Sequence, residues 1–170
     1  MVQVRVAGVA LDAAQQHVIL LKPLEDLPGE GRLLPIWIGA QEATSILVAV
    51  EGAPVPRPLA HDLMREILDT LGATVDRVEV TRLDEGTYYA DVVLDTPVGS
   101  RVVDARPSDA VALASRTGAS IFVADEVLAE AGVIDTVTGE DEDGVPVDAE
   151  ESVDEFKRFL EDVDPDDFRG

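Results

Sequence analysis

The stretch Ser100-Arg101-Val102-Val103-Asp104-Ala105-Arg106-Pro107-Ser108-Asp109-Ala110-Val111-Ala112-Leu113-Ala114 decides the fold. It reads as a strand over about 100–105 that runs straight into a helix. Pro107 suits the first position of a helix and Gly118 the position just past its end. Between them the helix is nearly all apolar, and a helix that is apolar on every side is buried. A strand feeding a buried helix makes the chain a mixture of sheet and helix. Upstream, residues 74–83 and 87–95 alternate in character around Asp84-Glu85-Gly86, the pattern of a hairpin. Downstream, Ile121-Phe122-Val123 is a short strand.

Further upstream, residues 2–11 and 16–22 form two strands joined at Asp12-Ala13-Ala14. A third strand covers 32–38, where Pro35 calls for an edge or a bulge. Ala43, Ile46, Leu47 and Val50 recur at helical spacing over 40–51, with Gly52 past the end. Pro58 opens the next helix and Gly72 closes it. Leu59, Leu63, Ile67 and Leu71 mark its expected buried stripe, with His61 and Arg65 at the margin and Asp62 and Asp69 outward. The expected architecture is α+β: one compact domain over 1–134, with a mixed, largely antiparallel sheet packed by helices. Residues 135–151 read as an acidic flexible linker. Residues 152–170 read as a tail opening on the capping box Ser152-Val153-Asp154-Glu155. Its short helix carries the stripe Val153, Phe156, Phe159/Leu160 and Val163, which would dock on the body or on a protein partner.

The composition excludes several classes. Among 170 residues there is no cysteine, which removes disulfides, a zinc–thiolate site and a cysteine nucleophile. Two histidines are too few for a histidine-rich metal site. No apolar run is long enough to span a membrane, and the alternating N-terminus is not that of a signal peptide. A cysteine-free chain fits the reducing cytoplasm. The net charge is −22, and residues 135–170 hold 15 acids against three bases. Nucleic-acid binding in so acidic a chain must rest on a local basic site. Aromatics are 4%, so a homo-oligomeric interface would be built on aliphatic strand faces.

No phosphate loop, dinucleotide turn or Gly-x-Ser-x-Gly elbow is present, so no nucleotide cofactor is expected. The polar groups set beside apolar elements are Glu42, Arg57, His61, Asp62, Asp104, Arg106, Ser108 and Asp109. Arg106 and the first N–H groups of the 107–117 helix can hold an anion. Asp104, Asp109 and Glu42 can hold a divalent cation, Mg or Mn, through oxygens. Alternatively, Arg106 pairs with Asp104 or Asp109 and only fastens the helix. His61 is either a general base or a residue at the rim of its stripe. Arg57-Pro58 and Arg106-Pro107 look alike, each followed by a first-turn acid. If both starts face one cleft, Arg57 and Arg106 make one anion pocket.

Taken in order, Leu34-Pro35-Ile36-Trp37-Ile38-Gly39, Glu42-Ala43, Arg57-Pro58 with His61-Asp62-Leu63, Gly86-Thr87-Tyr88-Tyr89-Ala90 and Asp104-Ala105-Arg106-Pro107-Ser108-Asp109-Ala110 resemble the bifunctional nuclease domain, also known as domain of unknown function family 151. The resemblance runs over residues 2–133. It implies a compact α+β domain and a nuclease acting on DNA and RNA. Its polar positions fall on Glu42, His61, Asp62, Asp104, Arg106, Ser108 and Asp109. Taken with the helix starts, Glu42, His61, Asp62, Asp104 and Asp109 are the expected catalytic residues, and Arg57, Arg106 and Ser108 the expected phosphate-binding ones. The other class of function open to such a domain is regulatory: an adaptor that binds a small anion or a protein.

Overall fold

The computed structural model describes residues 1–27 and 29–136. Of the linker expected over 135–151, Asp135 and Thr136 are described and Asp135 is buried; residues 137–151 and the helix expected from Ser152 lie outside the described residues. The chain runs β1 (Val2–Leu11), β2 (His17–Pro23), β3 (Arg32–Ile38), α1 (Ala40–Glu51), α2 (Ala60–Thr70), β4 (Thr74–Asp84), β5 (Thr87–Asp95), β6 (Arg101–Ala105), α3 (Pro107–Thr117), β7 (Ser120–Val123), α4 (Asp125–Ala131) and β8 (Val133–Ile134). This is the α+β architecture that the sequence implied.

The strands form one open sheet in the order β6-β5-β4-β7-β1-β2-β3-β8. Its pairs are antiparallel except β4 with β7, where Val78 stands beside Ile121. Pro35, which has no N–H to give, pairs with Leu20 of β2. On its other side β8 reaches only Arg32 and Leu33. Among the described residues no strand pairs with Pro35 on that side, the edge position that a proline in a sheet favours. The sheet curls without closing: the Tyr88 hydroxyl on β5 donates to the Pro35 carbonyl on β3 at 3.3 Å, with four strands between them in the order.

The core lies on the helix-bearing face of the sheet. Ile19, Leu21, Leu34, Val78, Val80 and Val123 supply the strand side, and Ile46, Val111 and Ala112 the helix side. On the other face Val18 and Leu20 pack with Ala7, Ala10 and Trp37. The Trp37 indole N–H donates to the buried Asp12 carboxylate at 3.0 Å and so fixes the β1–β2 turn. Helix α3 is the centre of the helical layer, packed on β4, β5 and β7, with α1 and α2 against it.

Helix α2 differs from expectation in two ways. It begins at Ala60 with Leu59 as its N-cap, so Pro58 lies just before the helix. Its buried residue is His61, while Leu63, Met64, Ile67 and Leu71 are exposed. The reason is position. Helix α2 rests on α3 instead of on the sheet, so only the narrow strip with His61 and Leu68 turns inward. No helix among the described residues is long and apolar enough to cross a membrane.

A polar knot ties β2 to the residues after β8. Lys22 on β2 and Asp135 after β8 are both fully buried and paired. The Lys22 ammonium also donates to the Glu30 carbonyl at 2.9 Å, and the Gly29 N–H donates to Asp135 at 3.2 Å. Gly29 and Glu30, ahead of β3, are thus tied to one buried charge pair.

Candidate functional site: three helix starts around Arg106

Helices α1, α2 and α3 each carry an acid as their third residue: Glu42, Asp62 and Asp109. A carboxylate at that position faces unpaired N–H groups and the positive end of the helix dipole. Asp62 spends its oxygens locally. It accepts from the Leu59 N–H at 2.8 Å and from the Arg116 Nε at 2.7 Å. Glu42 and Asp109 turn toward a common cation instead. Arg106 Nε donates to Asp109 Oδ2 at 2.7 Å, and Nη2 donates to Asp109 Oδ1 at 3.1 Å and to Glu42 Oε1 at 2.8 Å. Arg106 is the N-cap of α3, so its guanidinium is held at the mouth of the helix with 66% of the side chain exposed. A Cβ at Gly39, the N-cap of α1, would collide with the Glu42 carboxylate. The missing side chain leaves room for Glu42 to fold back over its own helix start.

The network continues inward. His61 Nε2 lies 3.0 Å from Asp109 Oδ1, and Nδ1 lies 2.8 Å from Ser45 Oγ on α1. The His61 side chain is 7% exposed. An ionised Asp109 only accepts, so in the neutral ring the proton is on Nε2 and Nδ1 accepts the Ser45 hydroxyl hydrogen. The result is one continuous series, Glu42, Arg106, Asp109, His61, Ser45, drawn from three helices.

Two open clefts flank Arg106. One, of about 660 Å³, is lined by Glu42, Ser45, His61, Met64, Arg106 and Asp109 among others. The other, of about 430 Å³, is lined by Gly39, Gly86, Thr87, Tyr88, Arg106, Pro107 and Ser108 among others. Ser108 is 7% exposed, and its hydroxyl makes no hydrogen bond among the described residues.

The charges reinforce one another. Burial works to raise the Asp109 pKa, but the hydrogen bonds from Arg106 and His61 outweigh it and hold the carboxyl below its ordinary value. The Arg106 guanidinium is raised, first by its bond to Asp109 and then by Glu42. Asp62 is also held low: burial works against it, but the Leu59 N–H and Arg116 prevail. A carboxyl whose folded pKa lies below its unfolded one adds stability above the unfolded value, about 3.9 for Asp, and loses it as pH falls through the folded value. Acid unfolding is therefore expected to steepen below about pH 4. Melting curves against pH for the wild type and the Asp62→Asn/Asp109→Asn variant check this, the variant showing the shallower decline.

Not every expected residue joins the cluster. Asp104 is exposed on β6 opposite Asp91, and it makes no ion pair among the described residues. Arg106 takes Asp109 and Glu42 as partners, not Asp104. Arg57 is exposed before α2; it lines neither cleft flanking Arg106 and has no ion pair among the described residues. The starts of α2 and α3 do meet, through His61 and Asp109, but without Arg57. Asp62 serves α2 and Arg116, outside the cleft. Ser45, absent from the sequence reading, is a member; its one available signal was its place one turn after Glu42 on the same face.

A divalent ion does not fit this donor set as it stands. Both Asp109 oxygens and Glu42 Oε1 are taken by Arg106 and His61. Among the described residues no three His, Asp or Glu side chains gather to hold a metal.

Comparison with known proteins places this geometry in context. The family model described as the bifunctional nuclease domain matches residues 21–136. A protein of Mycobacterium tuberculosis strain H37Rv, described as uncharacterized, is 42% identical over 167 residues, 98% of both chains. Bifunctional nuclease 1 of Oryza sativa subsp. japonica is 31% identical over 116 residues, 66% of this chain and 34% of its own. Bifunctional nuclease 1 of Arabidopsis thaliana is 33% identical over 109 residues, 62% of this chain and 32% of its own. The chain thus spans about a third of the length of these plant relatives.

Proposed function

The chain belongs to the bifunctional nuclease domain family, and from that premise we propose that it hydrolyses phosphodiester bonds of DNA and RNA at the Arg106–Asp109–His61 cluster. The observation that carries this reading is the position of Arg106. An exposed guanidinium stands between two clefts, one holding a proton-carrying imidazole and the other a buried serine hydroxyl at a helix start. A guanidinium is the side chain best matched to a phosphate, because its planar donors engage two oxygens at once. In a chain of charge −22 such a local cation is what a nucleic-acid strand would need. For the phosphate to bind, Arg106 turns donors from Glu42 and Asp109 toward it.

The test is cleavage of end-labelled single-stranded RNA and DNA by the purified chain at low salt, with Mg, with Mn and with chelator. Cleavage is expected, falling steeply as salt rises. Arg106→Ala is expected to lower the rate by about 10²–10³, the size of losing one preorganised donor to developing charge. No cleavage by the wild type under any of these conditions would leave the regulatory reading in its place.

A further inference from the structure

Both ring nitrogens of His61 are engaged, and this decides which atom can meet a substrate. Nε2 faces Asp109 and Nδ1 faces Ser45, so the imidazole presents no free nitrogen to the cleft. A proton leaves or reaches Nδ1 by way of the Ser45 hydroxyl, and Ser45 lines that cleft. The connectivity hydroxyl–imidazole–carboxylate is that of an activated serine, with the two ring nitrogens exchanged relative to the usual serine-hydrolase order. Arg106, through Glu42, is anchored one helical turn from Ser45 on the same face of α1.

We propose that Ser45 is the nucleophile of this site, with His61 as its base and Asp109 as the positioning residue. The inference rests on the phosphodiester reading above. Ser45 Oγ bonds to phosphorus as its proton passes to His61 Nδ1. The bond from phosphorus to the leaving ester oxygen breaks, and that oxygen departs with the proton from Nδ1. Water then gives a proton to Nδ1, its oxygen bonds to phosphorus, and the Ser45 ester breaks, Oγ recovering the proton. The sum is phosphodiester plus water giving phosphomonoester plus alcohol. Asp109 keeps the Nε2 proton in place and offsets the imidazolium charge, and Arg106 offsets the phosphoryl charge. None of these steps asks the engaged carboxylates to bind a metal.

The competing account is that Ser45, His61 and Asp109 merely fasten α1, α2 and α3 together. A fluorophosphonate probe separates the two, because it phosphonylates an activated serine whatever nucleic acid the protein prefers. The full chain is treated with the probe and mapped by peptide mass. The expected adduct is on Ser45, absent from Ser45→Ala and formed at least about 100-fold more slowly in His61→Gln, the usual worth of a general base. Asp109→Asn, which disturbs the tautomer while keeping the shape, is expected to slow it likewise, with circular dichroism melts confirming that each variant is folded. Failure to label Ser45 in the folded wild type, labelling unchanged in both folded His61→Gln and Asp109→Asn, or RNA cleavage retained by Ser45→Ala would overturn the proposal. An adduct on Ser45 without cleavage of any nucleic acid would support the activated serine while removing the nuclease reading.

Discussion

Asp135→Ala is expected to lower the stability of the protein by about 3–5 kcal/mol, the cost of stranding one member of a buried ion pair. In a domain of this size that is on the order of 10 °C in Tm. The reason is that Lys22 stays behind. Its side chain is fully buried, and its bond to the Glu30 carbonyl belongs to a loop that Asp135 itself helps to hold through Gly29. Removing both charges tells a different story. Lys22→Met combined with Asp135→Leu is expected to recover most of the loss, because apolar residues of similar volume replace a buried pair at little cost. Urea melts of the single and double variants check both statements; equal losses in the two would refute the account.

The second large effect is expected at Asp62. Its partner Arg116 has only 3% of its side chain exposed, and Arg116 Nη2 has no hydrogen-bond partner among the described residues. Asp62→Ala removes the ion pair and the acceptor for the Leu59 N–H together. A loss of about 3 kcal/mol is expected, the low end for a buried pair because Asp62 itself keeps 21% exposure. Since Asp62 lies outside the cleft, the variant is expected to retain wild-type cleavage rate per folded molecule. A rate loss of 100-fold in folded Asp62→Ala would return Asp62 to the chemistry.

Those two residues mark what the sequence could and could not say. Element boundaries fixed by backbone chemistry were legible: Gly52 and Gly118 both sit at positive φ just past their helices, where glycine is favoured. Pro107 occupies the first position of α3 as its type demands. The buried stripe of α2 does not follow from its sequence, because apolar spacing shows that a helix has two faces but not what lies across from each. With α3 as its main neighbour, the polar His61 went inside and Leu63, Ile67 and Leu71 outside. The likeness of Arg57-Pro58 to Arg106-Pro107 misled for a related reason. The helix after Pro58 starts two residues later than the one after Pro107, so the matching positions are Leu59 with Arg106 and His61 with Ser108. Helix α4 and strand β8 were too short to leave a periodic signal. Ser45 was hidden because a serine within a helix carries no mark of what faces it from sixteen residues away.

The parallel pairing of β4 with β7, the one such pair among the described residues, has a consequence for how the molecule comes to be folded. Strands β1 to β3 form one run of local antiparallel pairs and β4 to β6 another, each closable over short loops. Strand β7 joins the two runs, and it sets Val2 beside Val123. Contacts so distant in sequence form late, after the loop-closure entropy of the whole intervening chain has been overcome. Helix α3 ends at Thr117, a short step before β7 begins at Ser120. Arg106 and Asp109 are therefore expected to settle against Glu42, His61 and Ser45 as the two halves of the sheet join. Hydrogen exchange during refolding checks this, with the amides of α3 gaining protection together with those of β7 and later protection of β7 than of α3 counting against it.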